Sequence, residues 1–99
     1  MIILAGSIRV PAENLERAAP HLEAMVQASR GEPGCIAYAF AHDVTDEGLI
    51  RVFEVFANAE ALAAHGASPH MAKWRACWPA LGIGERNMTQ YDVAKFQKI

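Results

Sequence analysis

The chain has 99 residues, of which 53% are hydrophobic and 20% are charged, and its formal net charge is −2 at pH 7. This length predicts one domain over residues 1–99, and the small negative charge argues against nucleic acid or an anionic membrane as a partner. No apolar run reaches the roughly 18 residues that span a bilayer, and the amino terminus lacks the basic start of a secretory leader. We therefore expect a cytoplasmic protein, with Cys35 and Cys77 as reduced thiols because they lie far apart and outside metal-ligand spacing.

The amino-terminal part predicts a strand followed by a helix. Apolar and β-branched residues indicate a strand over residues 2–10, and apolar residues at helical spacing indicate a helix over residues 12–30. Pro20 lacks the donor for an i−4 hydrogen bond, so we expect a kink or a restart of the helix there. Residues 31–34 should end this helix with a left-handed cap and a tight turn.

Two further strands are predicted from alternating side chains. In Cys35–Asp43, Ile36 and Tyr38 should share the face of large side chains, and Cys35 should lie on the face of small ones. The third strand, residues 49–57, has apolar residues on both faces. Both faces of the sheet should therefore be covered, one by helices and the other by a partner.

The carboxy-terminal part predicts two short helices and a last strand. Asn58 is a good N-cap for a helix over residues 59–65, and Ser68 followed by Pro69 should begin a second helix that runs through Trp78. Alternation from residue 86 to about residue 96 indicates the final strand.

The resulting order, β-α-β-β-α-β, predicts a ferredoxin-like α+β fold with an antiparallel sheet and helices on one of its faces. The apolar second face of the sheet predicts a homodimer, in which two such sheets pack together as a dimeric α+β barrel. The hydrophobic fraction of 53% supports this, because a small monomer has little interior in which to bury it.

Glu54 is the first candidate for chemistry, because it shares its strand face with three apolar residues. An unpaired carboxylate in such surroundings has a raised pKa and can act as a general base near neutral pH. Alternatively, a hydrogen bond or ion pair to His65, Arg51 or Arg75 would make Glu54 a structural residue that ties a helix to the sheet.

His65 and His70 are the other candidates. They lie five residues apart across a break, so they do not form an i,i+4 metal-binding face, and we expect no metal, although both could join Glu54 in a two-histidine, one-carboxylate site. We expect one imidazole to act as acid, base or oxyanion partner and the other to cap or pack. The aromatic candidates are Tyr38, Phe56 and Trp74. They could line an apolar pocket beside the histidines, or they could instead belong to the core.

Three groups of residues resemble the antibiotic biosynthesis monooxygenase-like family: Glu32-Pro33-Gly34-Cys35 with Tyr38 and Asp43, Val52-Phe53-Glu54-Val55-Phe56, and Ala61-Leu62 with His65, Ser68 and His70. This resemblance implies a homodimeric barrel with a pocket between the sheet and the helices of each protomer. It also implies oxygenation of quinol or anthrone-like aromatics by O2, without metal, flavin or haem. The family includes haem-degrading enzymes and an isomerase that acts on a phosphorylated sugar derivative.

One departure disfavours the haem-degrading alternative. Many relatives have tryptophan two residues after the strand glutamate, where this chain has Phe56, and the first strand lacks the asparagine of the haem-degrading members. We therefore predict a cofactor-independent monooxygenase with Glu54, His65 and His70 as catalytic residues, a small aromatic or quinol substrate and O2. The alternatives are a haem-degrading or isomerase relative, or a non-catalytic dimer that binds a small ligand.

Overall fold

Four strands and three α-helices follow one another along the chain, and the computed structural model describes all of residues 1–99. The elements are β1 (Ile2–Arg9), α1 (Leu15–Arg30), β2 (Cys35–Asp43), β3 (Asp46–Phe56), α2 (Ala59–Gly66), α3 (Pro69–Leu81) and β4 (Arg86–Asp92). A short 3-10 helix, Ala12–Asn14, leads into α1. None of the helices is long and apolar enough to cross a membrane.

The sheet confirms the ferredoxin-like α+β arrangement. Its strand order is β2-β3-β1-β4, and each neighbouring pair is antiparallel. Since β3 separates β1 from β2, the two strands that α1 connects, the three strands form a split βαβ unit. In this register Glu54 of β3 lies opposite Leu4 of β1 and Tyr38 of β2. The buried core lies between the helices and one face of the sheet and includes Ile8, Ala18, Met25, Tyr38, Ile50, Val52, Phe56, Trp74, Trp78 and Leu81.

The predicted helix starts after β3 are confirmed. The Asn58 side chain accepts a hydrogen bond from the Ala61 backbone N–H at 2.9 Å, and the Ser68 hydroxyl accepts one from the Met71 backbone N–H at 3.2 Å. Each cap satisfies a backbone donor that has no partner within the first helical turn. α3 continues beyond its predicted end to Leu81, and it stops at Gly82, whose φ of 72° is left-handed.

The restart considered at Pro20 and the left-handed cap expected after α1 are both absent. α1 runs through Pro20 without restarting, and buried Ala18 and Met25 pack it against the core on both sides of the proline. This packing compensates for the single backbone hydrogen bond that proline removes. The helix also ends at Gly31 with a right-handed φ of −80°, so the left-handed cap expected there is wrong.

A β-bulge at the start of β2 changes which side chains face the helices. Cys35 lies opposite Phe56 while Ala37 lies opposite Val55, so one extra residue is inserted between them. The extra residue reverses the alternation, and Cys35 joins Tyr38 on the helix-facing side. Ile36 is left 57% exposed. The expectation that Ile36 shares a face with Tyr38 is therefore wrong.

The second face of the sheet carries apolar side chains that no helix covers. Phe53 of β3 and Tyr91 of β4 are about half exposed. β4 ends at Asp92, earlier than predicted, and the residues after it form no regular element.

The turn between α1 and β2 packs so closely on α2 that a side chain at Gly34 has no room. A Cβ at this position would lie 2.2 Å from the Ala61 Cβ. We expect Gly34→Ala to reduce the free energy of unfolding by about 1–3 kcal/mol, because the turn or the helix must move. Urea denaturation measures this. Gly66→Ala is the matched control, since a Cβ there meets nothing within 4 Å, and equal stability of the two variants would contradict the predicted contact.

Candidate active site

Glu54 lies in the interior on the helix-facing side of β3, where only 6% of it is exposed. Burial raises the pKa of Glu54 to about 7, because the ionised carboxylate loses its hydration. The nearby Glu32 carboxylate also raises this pKa, whereas the positive charges of Arg86 and Arg75 oppose the rise. Glu54 is thus partly protonated near neutral pH, the range of pKa that suits a general base.

His65 connects this carboxylate to a second one. The imidazole is 2% exposed, its Nδ1 lies 2.8 Å from Glu32 Oε2, and its Nε2 lies 3.6 Å from Glu54 Oε1. With the Glu32 carboxylate as the acceptor of this hydrogen bond, Nδ1–H of His65 is the donor. Nε2 is buried without a hydrogen-bond partner and faces Glu54, so these two groups are placed to exchange one proton.

Aromatic rings hold the His65 imidazole in this orientation. The ring centroid of Phe56 lies 4.9 Å from that of His65, and the ring centroid of Tyr38 lies 5.4 Å from it. Phe56 is fully buried behind the imidazole. Burial and the Glu54 charge raise the pKa of Tyr38 far above its ordinary value, which keeps its phenol neutral.

His70 does not approach Glu54 directly. Its Nε2 contacts the same Oε2 atom of Glu32 that His65 contacts, and the two imidazole centroids are 6.0 Å apart. The other side of His70 borders a separate cavity of about 130 Å³ with His21 and Lys73. The structure therefore brings Glu54 and His65 together and joins His70 to them only through Glu32.

Glu32 is a residue of this candidate site that sequence reasoning missed. It lies in the turn after α1, separated by 33 residues from His65 and by 38 residues from His70. Gly34 allows this turn to pack against α2 and thereby places the Glu32 carboxylate beneath both imidazoles. The signal for Glu32 that the sequence offered was its position directly before the Pro33-Gly34 turn.

Glu32, His65 and His70 are also the residues that could hold a metal ion. One donor atom from each lies within 4.8 Å of the others. This group differs from the metal-binding alternative considered from the sequence, because Glu32 takes the place of Glu54. In the structure the shared oxygen, Glu32 Oε2, is hydrogen-bonded to a ring nitrogen of each imidazole.

A cavity of about 550 Å³ opens beside Glu54, between the sheet and helices α2 and α3. Four ionisable side chains line it, namely Glu54, His65, Arg75 and Arg86. Four apolar side chains also line it, namely Leu4, Leu62, Met71 and Met88. A narrow extension of about 20 Å³ reaches Tyr38 and Trp74, which therefore border the same region. Phe56 borders neither space and packs against the His65 imidazole.

The chain belongs to the antibiotic biosynthesis monooxygenase family, whose sequence profile matches residues 1–76. It is 31% identical over 98 residues to an uncharacterized protein of Synechocystis sp., covering 99% of this chain and 67% of that protein. It is similar in structure to a candidate antibiotic biosynthesis monooxygenase from Deinococcus radiodurans (TM-score 0.92, 25% identity, 100% of this chain and 98% of that one). A conserved Bacteroides thetaiotaomicron protein described as a candidate oxidoreductase is also similar (TM-score 0.81, 30% identity, 91% of this chain and 94% of that one).

The raised pKa of Glu54 predicts a pH-dependent loss of stability. Between the ordinary pKa of 4.5 and the folded-state value of about 7, the folded protein binds more protons than the unfolded chain. The contribution of Glu54 to stability therefore falls as pH rises through this window, by up to about 3 kcal/mol. We expect Glu54→Gln to become more stable relative to wild type between about pH 5 and about pH 8 in urea denaturation. If the difference in free energy of unfolding between Glu54→Gln and wild type did not change with pH, the raised pKa of Glu54 would be contradicted.

Proposed function

We propose that this protein is a monooxygenase that uses O2, without a prosthetic group, to oxidise an electron-rich aromatic or quinol-type molecule in the Glu54 cavity. The observation that supports this most strongly is the buried Glu54 carboxylate, which has a pKa of about 7 and faces His65 Nε2 in a cavity of about 550 Å³. Such a site supplies a base and a nearby proton carrier beside a cavity that includes four apolar side chains.

The substrate provides the electrons in this reaction. Ionised Glu54 removes a proton from a phenol or an activated ring C–H, and the resulting anion transfers one electron to O2. The two radicals combine to form a carbon–oxygen bond, and the peroxide anion that results takes back the first proton to give a substrate hydroperoxide. Loss of the remaining proton at that carbon and cleavage of the O–O bond then yield a carbonyl and one water molecule. One oxygen atom enters the product and the other leaves as water, so no external reductant is required.

His65 and Glu32 support the proton transfers. The Nδ1–H bond to Glu32 holds the imidazole with Nε2 towards Glu54, so Nε2 can accept the proton that Glu54 has taken from the substrate. That first proton completes the hydroperoxide, and the second proton, taken from the carbon, protonates the hydroxide that leaves when the O–O bond breaks. Glu32 is thus a positioning residue, and His70, which contacts the same Glu32 oxygen, acts further from the substrate.

Oxygen uptake tests this proposal. The chelator-treated protein should consume O2 above the autoxidation rate with at least one member of a panel of hydroquinones and anthrone-like phenols. Glu54→Gln should lower the rate by about 10²–10⁴-fold, the usual contribution of a general base. The wild-type rate should rise as pH increases through about 7, because the base must be ionised. Glu60→Gln, a change at an exposed position on α2, is the matched control and should leave the rate unchanged.

Two further variants separate the roles around His65. Glu32→Gln should reduce the rate and change its pH profile, because it alters the partner of Nδ1, whereas His70→Ala should have a smaller effect. Binding of aromatics without O2 uptake would instead support the non-catalytic alternative. A spectral change on adding haem would support the haem-degrading one.

We also propose that the protein forms a homodimer through the open face of the sheet. The support is the half-exposed Phe53 and Tyr91 on the face that no helix covers. Apolar side chains on one exposed sheet face are typical of an association surface.

Light scattering at micromolar concentration should therefore give twice the mass of one chain. Phe53→Glu should shift the protein towards a monomer, because it places a charge on the proposed interface. Val44→Glu is the matched control, since Val44 is fully exposed in the hairpin loop between β2 and β3. A wild-type monomer, or equal dissociation of both variants, would contradict the proposed interface.

A further inference from the structure

Two arginines of the cavity differ from the other four arginines of the chain. Arg9 pairs with Asp46, and Arg51 pairs with Asp43. Arg17 and Arg30 donate hydrogen bonds to backbone carbonyls. Arg75 of α3 and Arg86 of β4 take part in none of the side-chain hydrogen bonds or ion pairs of the structure. Both line the cavity that contains Glu54.

The two guanidinium groups are close enough to affect each other. Partial burial, followed by the charge of Arg86, lowers the pKa of Arg75 below its ordinary value, although both arginines remain exposed to solvent. Both arginines also interact electrostatically with Glu54, but the burial of that carboxylate outweighs them and keeps it partly protonated near neutral pH. The cavity therefore has more positive than negative charge, and no protein acceptor is bonded to either guanidinium.

Arg75 is also held in a defined orientation. Its Cζ atom lies 4.6 Å from the centroid of the Trp78 ring, in a cation–π contact. Such a contact uses the face of the guanidinium and leaves the N–H groups at its edge available to an acceptor. A planar donor group on α3 and a second one on β4 thus border one space from two sides.

We propose that Arg75 and Arg86 form an oxyanion-binding subsite, so that the substrate carries a carboxylate or phosphate group near its oxidisable ring. The identity of the ring rests on the proposed function, whereas the anion subsite depends only on the two arginines. The subsite places the anionic end at the arginines and leaves the ring beside Glu54 and the apolar side chains Leu4, Leu62 and Met88. Guanidinium groups suit either oxyanion because their paired N–H groups match two oxygens of one group.

Anaerobic calorimetry separates binding from oxidation. Gentisate, a hydroquinone that carries a carboxylate, should bind wild-type protein on the order of tenfold or more tightly than its neutral methyl ester. Arg75→Gln and Arg86→Gln should each remove most of this preference, and added salt should weaken the binding of gentisate more than that of the ester. Arg51→Gln is the matched control, because Arg51 pairs with Asp43 away from the cavity and should leave the preference unchanged.

Benzoate and phenyl phosphate, compared in the same way, show which oxyanion the two arginines prefer. Equal affinity for gentisate and its ester, or an unchanged preference in both arginine variants, would overturn the subsite. Arginine-dependent binding of gentisate without any O2 uptake would support the subsite and contradict the monooxygenase proposal. If wild type and both variants oxidised the acid and the ester equally well, the result would support the monooxygenase proposal and contradict the subsite.

Discussion

The geometry of this site depends on one buried imidazole held between two carboxylates. His65 is 2% exposed, with Glu32 on its Nδ1 side and Glu54 on its Nε2 side. These groups come from the turn after α1, from α2 and from β3, so the contact joins three separate parts of the chain. Removal of Glu32 would leave a buried N–H group unsatisfied, at a cost of about 1–3 kcal/mol. Helix position and imidazole orientation are therefore determined together.

The same burial that destabilises Glu54 as a charged group suits it to the base role that we propose. An exposed glutamate is almost fully ionised at neutral pH and is a weak base, whereas Glu54 has a pKa of about 7. The positive charges of Arg75 and Arg86 oppose this rise but do not cancel it. The fold thus maintains a group that costs stability, which is common where a protein performs proton transfer.

Neighbouring residues of β3 face different environments because the side chains of a strand alternate. Glu54 faces the helices and the cavity, whereas Phe53 is directed to the open face that we propose as the dimer interface. A change of register by one residue would exchange these environments. β3 lies between β1 and β2 and is paired on both sides, and this pairing keeps the register, and with it the two surfaces, in place.

The sequence alone determined the order of elements, the ferredoxin-like fold, the caps at Asn58 and Ser68, and the inward direction of Glu54, because these follow from local periodicity and local hydrogen bonding. Only the tertiary structure decided which groups meet at the site. Glu32 approaches His65 across 33 residues of chain, and Arg86 approaches Arg75 from a different element. The bulge in β2 and the continuous helix through Pro20 also depend on packing against distant residues. Local pattern carries no information about such contacts, because they arise only when the helices are placed against the sheet.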